Sequence, residues 1–166
     1  METLHTIRKW LDKIVGTICI LLFALMVDVG SYQIITRFIF NNPSTISEEL
    51  LTYSFAWMAM FATAYVFGKR DHMRMTFVVD KLAPAQRKVL EIVLEILVIA
   101  FAVIVLIYGG FNIMGLTMTQ KTASLGVMMG QVYAVVPISG ILIAIYGILN
   151  VVDLCKGYER KEEEEK

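Results

Sequence analysis

Asp28 is the one carboxylate set deep inside an apolar run, and Ser31 and Tyr32 follow it on the same helical face, within hydrogen-bonding reach. An acid at such depth marks a functional position: a contact inside a helix bundle, a contact to a second subunit, or a site for an ion or proton. A central Asp costs about 2.5 to 3.5 kcal/mol on insertion, and each surrounding Leu, Ile, Val or Phe returns roughly 0.3 to 0.6, so the run inserts despite it. Glu91 and Glu95 stand one turn apart with Lys88 three residues before Glu91, a helix face that solvated pairing near the headgroups explains. A metal would want further ligands than these. His5 and His72 both lie outside the apolar runs, so no intramembrane pair is present to ligate haem. Cys19 and Cys155 form neither a CxxC nor a pair on one side, and read as packing residues. No GxxxxGK[ST] and no set of nucleophile, base and oxyanion donors is present, so no enzyme, cofactor or metal is expected.

The elements that position these residues are four apolar runs, 14–35, 50–67, 89–114 and 127–152. At 1.5 Å per residue each can cross a hydrocarbon core of about 30 Å, the second only just. With 57% hydrophobic residues and a mean hydropathy of +0.67, the chain carries more apolar surface than water tolerates, and its zero net charge suggests neither nucleic acid nor an anionic ligand. Its 15 Lys and Arg are divided unevenly. Arg8, Lys9 and Lys13 precede the first run; Lys69, Arg70, Arg74, Lys81, Arg87 and Lys88 lie between the second and third; Lys156, Arg160, Lys161 and Lys166 follow the fourth. Arg37 and Lys121 alone fall in the other two loops. Positive loops remain inside, which predicts an all-α integral membrane protein of four transmembrane helices with both termini cytoplasmic. A membrane domain over 1–156 and a charged cytoplasmic tail over 157–166 follow. The first run lacks a small-x-small cleavage site and continues past Asp28, so it reads as an uncleaved helix rather than a signal peptide.

Short interfacial amphipathic helices are expected on the inner face. Leu4, Ile7, Leu11 and Ile14 recur at helical spacing opposite Arg8, Lys9, Asp12 and Lys13, with Trp10 as the interface anchor. Met75, Val78, Val79 and Leu82 repeat the pattern, and Pro84 suits the first position of the third helix. Outside, Asn41, Asn42 and Pro43 break the first helix, while Thr45 with Glu48 matches a capping box. Gly126 and Gly130 make a GxxxG, and Gly140 with Ala144 a second small pair, both read as close helix packing, including against a partner. Pro137 is expected to kink the fourth helix. No internal repeat is visible, which argues against a transporter built from inverted halves.

One string of residues resembles a known family: Gln33-x-x-x-Arg37-Phe38-x-Phe40-x-Asn42-Pro43, then Ser47-Glu48-Glu49-Leu50, Trp57, His72-Met73-Arg74, Val79-Asp80-Lys81-Leu82, and Leu125-Gly126-Val127-x-x-Gly130-x-x-Tyr133-x-x-x-Pro137. In order and length it is similar to the small membrane subunit, the DctQ-like or Q component, of tripartite ATP-independent periplasmic (TRAP) transporters. The chain departs from the family at Ile46, where many relatives carry an aromatic, and over 122–128, where they often carry prolines.

The resemblance implies a bacterial inner-membrane scaffold for a large TRAP membrane subunit, which holds the substrate and sodium sites and moves by an elevator-like motion. A periplasmic substrate-binding protein would supply a small organic acid, sialic acid being one permissible within the family. Arg37, Glu48, Glu49 and Trp57 match the family motif. Arg37 is expected to pair with Glu48 or Glu49 across the outer turn, or these residues meet the large subunit or the binding protein. The rival reading is a self-sufficient proton-coupled exporter using Asp28. A redox-enzyme anchor, the third class, suffers from the missing histidines.

Overall fold

The computed structural model describes residues 2–69 and 84–155. The surface helix expected over 75–82, the His72-Met73-Arg74 motif and the tail over 157–166 lie outside the described residues. The chain forms α1 (Glu2–Phe38), α2 (Thr45–Lys69), α3 (Pro84–Phe101), a π-helical stretch Ala102–Gly109 continuing into α4 (Gly110–Thr117), a short α5 (Met129–Tyr133) and α6 (Val135–Cys155). Together they make four segments long and apolar enough to cross a membrane: Thr6–Phe38, Thr45–Lys69, Val89–Thr117 and Met129–Leu154. The expected all-α, four-span architecture is the one observed.

The first span differs from expectation at its start. The segment around Trp10, read as a separate interfacial helix, is the opening of one continuous helix of 37 residues, about 55 Å long. No proline interrupts it, and Gly16, which could have, packs toward the Tyr65 ring. Trp10 is 63% exposed on this helix, as an anchor requires. The helix stops where expected. Asn41 takes a left-handed conformation (φ 49°), and the Asn42 N–H returns to the Thr36 carbonyl at 3.0 Å. The cap of α2 is Ser44 rather than Thr45: its Oγ accepts the Ser47 N–H at 3.4 Å, and Thr45 is the first helical residue. Pro84 opens α3 as its missing N–H allows.

The four spans stand in a row, α1 against α2, α2 against α6, and α6 against α3 and the π-helical stretch. Half of the most apolar stretch of the fourth span is buried, compared with 6% for the first and third spans, so this span is the centre of the bundle. Val15, Phe61 and Val135 form one core cluster, and Ala64, Ala102 and Ile143 the other. Small residues on α6 allow the third span to press close: a Cβ on Gly140 would come within 2.7 Å of Leu106 Cβ, so the predicted small-residue face packs inside this chain. Between α2 and α3 runs an apolar groove of about 340 Å³ lined by Met60, Phe67, Leu97, Phe101 and Ile143 among others. Most remaining large apolar side chains of α1 and α3 are uncovered, as a lipid solvent permits and water does not.

The fourth span is interrupted between α5 and α6 at Ala134. Pro137, three residues on, lacks the N–H that would return to the Tyr133 carbonyl; the backbone at Ala134 stays helical (φ −57°, ψ −24°) and the Ile138 N–H still reaches the Ala134 carbonyl at 3.3 Å, so the irregularity is local and the span continues.

Candidate functional site

Two polar clusters tie the row together, one at each end, and neither is the arrangement that residue spacing suggested.

At the end carrying Asn41, the Glu49 carboxylate is held by the long loop between α4 and α5. Three consecutive backbone N–H groups donate to it, Ala123 at 3.1 Å to Oε1 and Ser124 and Leu125 at 2.7 Å each to Oε2. Tyr53 adds its hydroxyl to Oε1 at 2.8 Å. All four contacts are donors, the complement of an ionised carboxylate that can only accept. The loop is shaped to do this by a short antiparallel bridge between Lys121 and Met128, with the Thr122 N–H on the Val127 carbonyl at 2.8 Å and the Met129 N–H on the Gln120 carbonyl at 2.8 Å. Gly126 makes the reversal at φ +68°, a conformation that a Cβ penalises.

The expected Arg37 pairing with Glu48 or Glu49 is therefore corrected. Glu49 is occupied by the loop, Glu48 points outward from the first turn of α2, and Arg37 is exposed with its guanidinium 5.9 Å from the Phe38 ring centre. The GxxxG reading is corrected at Gly126. Gly126 lies in the loop, before α5 begins, with open space where a side chain would go. Gly130 is buried, and a Cβ there would come within 2.6 Å of the Met114 carbonyl, so its contact is to this chain's own third span. Trp57 is half-buried in α2 and donates its indole N–H to the Val132 carbonyl at 3.0 Å, beside the interruption in the fourth span. Its role here is to hold α2 to α5.

At the opposite end the structure assembles residues that spacing did not single out. Arg8, expected on the water-facing side of an interfacial helix, is 6% exposed. Its guanidinium donates to the Gly68 carbonyl at 3.1 Å, to Asn150 Oδ1 at 3.0 Å and to Asp153 Oδ2 at 2.8 Å. Asn150 passes the connection on, donating to Glu95 Oε1 at 3.1 Å and to the Phe67 carbonyl at 3.4 Å. Tyr146, wholly buried, donates to Asp12 Oδ1 at 2.8 Å. One network thus joins α1, α2, α3 and α6, and it satisfies carbonyls at the last turn of α2 that the helix cannot satisfy itself. Glu95, read as a solvated headgroup residue, belongs to it. The signal was present in Tyr146, Asn150 and Asp153, which stand at i, i+4 and i+7 on one face of the last apolar run.

Asp28 joins neither cluster. It lies on the exposed face of α1 with no hydrogen-bond or ion-pair partner among the described residues. The contact within the bundle that was one of its three readings is absent.

These features define a class: a multi-pass membrane protein of four helices whose polar groups clamp helix to helix. The chain belongs to the family of DctQ components of tripartite ATP-independent periplasmic transporters, whose family model matches residues 26–157. It is a transporter component, not an enzyme. The chain is 30% identical over 158 residues to the sialic acid TRAP transporter small permease protein SiaQ of Vibrio cholerae, covering 92% of this chain and 88% of that one. It is 28% identical over 157 residues to a Haemophilus influenzae protein described as a TRAP transporter small permease, covering 95% and 93%. It also aligns at 23% identity over 142 residues with the sialic acid TRAP transporter permease protein SiaT of Haemophilus influenzae, covering 86% of this chain but 22% of that longer one.

Proposed function

We propose that this chain is the stationary small subunit of a TRAP transporter in a bacterial inner membrane, bracing a large permease subunit that carries out sodium-driven, elevator-type uptake of a small organic acid. Sialic acid is the substrate we favour, by analogy with the Vibrio and Haemophilus relatives. A periplasmic binding protein delivers it, and both termini of this chain face the cytoplasm.

The alignment with SiaT carries the reading. There the counterpart of this bundle is about a fifth of one long permease, which supports a bundle of this kind working alongside a larger permease part. The fold supports it. Clamps at both ends hold the row of spans as one body, and the groove between α2 and α3 is almost wholly apolar, which suits a brace better than a path for an acid. Asp28 lies on the outside of the row rather than between spans, which speaks against the exporter reading.

The test is coexpression with a large TRAP permease subunit from the same organism, one-step purification on a tag carried by this chain, and uptake of labelled sialic acid by cells with and without this gene. The expected results are capture of the large subunit, and uptake that needs this gene and external sodium. A chain that purifies alone and whose deletion leaves uptake unchanged overturns the proposal.

A further inference from the structure

At 3.6 residues per turn, Leu21, Ala24, Leu25, Asp28, Ser31, Tyr32 and Ile35 fall on one stripe of α1, and every one of them is exposed. The inward stripe of α1, including Leu22, Met26, Val29 and Gln33, is half-buried, and α1 packs mainly on α2. Asp28 stands about 22 Å along the helix from Lys13 and about 13 Å from Arg37, so it cannot reach either end of the span. Lipid tails supply no donor at that depth, and an uncovered carboxylate there is costly whether charged or neutral. The third span offers a comparison. Val93 on α3 and Ile104 and Val105 on the π-helical stretch are exposed, and being apolar they need nothing beyond lipid. The stripe of α1 carries a carboxylate that lipid leaves unsatisfied, and its small residues Ala24 and Ser31 flank the acid, leaving room for another helix to approach.

We propose that this stripe is where the large permease subunit docks, with Asp28 accepting from a donor or cationic side chain on one of that subunit's spans. The proposal rests on the subunit reading above. A second copy of this chain is a poorer occupant, because a two-fold contact through the stripe sets Asp28 against its own counterpart, acid against acid.

The experiment uses this chain coexpressed with the large permease, with Cys19→Ala and Cys155→Ala for crosslinking. Asp28→Leu is expected to weaken capture about 3- to 30-fold while the chain still inserts and melts as before. Asp28→Asn retains capture where the partner is a neutral donor and falls with Asp28→Leu where it is a cation. Ser31→Cys is expected to crosslink to the large subunit in membranes and Met26→Cys, on the α2-facing side, is not. Should Asp28→Leu destabilise the chain, the crosslinks still decide. Capture by Asp28→Leu equal to wild type overturns the proposal, as does crosslinking of Ser31→Cys only to another copy or to nothing while Ile104→Cys on the π-helical stretch reaches the large subunit. A wild-type chain that captures no large subunit instead removes the subunit reading, and this inference with it.

Discussion

The guanidinium of Arg8 lies 2.8 Å from the carboxylate of Asp153, joining residues 145 apart in sequence and pinning the first helix to the last. The side chains are 8% and 28% exposed, so this pair is shielded from water far more than a surface bridge is.

Arg8→Ala is expected to leave Asp153, Asn150 and the Gly68 carbonyl without their shared donor and to lower stability by about 3 kcal/mol. Asp153→Asn keeps an acceptor and should cost about 1 kcal/mol. Unfolding in mild detergent against added SDS checks both. Equal, negligible losses would show that the network does not clamp the bundle.

Glu49→Gln places an amide that is half donor where three N–H groups converge, so the loop over 118–128 should come away from α2. Cleavage by trypsin after Lys121 in proteoliposomes is expected to speed up roughly tenfold. Arg37 has no acid partner among the described residues, so Arg37→Gln should leave that rate unchanged. A faster rate in Arg37→Gln would restore the pairing that the structure does not contain.

The two glycines of the apparent GxxxG should respond differently. Gly126→Ala meets open space but a positive φ, at a cost of about 1 kcal/mol, and Gly126→Asn should recover most of it. Gly130→Ala drives a methyl into the Met114 carbonyl and Met118, and should cost about 2 to 3 kcal/mol. A shared helix-packing role would instead make the two losses similar; melting temperatures in detergent distinguish these outcomes.

Trp57→Phe keeps an aromatic ring facing Phe61, whose ring lies 6.1 Å away and tilted by 56°, and removes the donor to the Val132 carbonyl. A loss of about 1 kcal/mol is expected, since this carbonyl lies beside the irregular turn at Ala134. In a Trp10→Phe background, Trp57 fluorescence should be blue-shifted and poorly quenched by iodide. Strong quenching would place the indole in water, away from α5.

Much of the fold was legible because membrane insertion is close to a sum over neighbouring residues. Four apolar runs announce four spans whatever their order in space, Asn41 to Pro43 end a helix locally, and Pro84 begins one locally. The motif string reached the family for the same reason, since it too is read along the chain.

The clamps were not legible in that way. Glu49 is 74 to 76 residues from the N–H groups that bind it, and Arg8 is 142 from Asn150. Hydropathy says that Arg8 is a cation near an apolar run; it does not say that the last turn of α2 and two polar side chains of α6 converge there. By itself the sequence determined how many times the chain crosses, where the first helix is broken and the third begins, and what family it joins. Only the tertiary structure decided which acids are satisfied inside the bundle and that Asp28 faces out of it. The reason is that transfer energies act residue by residue, whereas a hydrogen bond needs both of its partners in place.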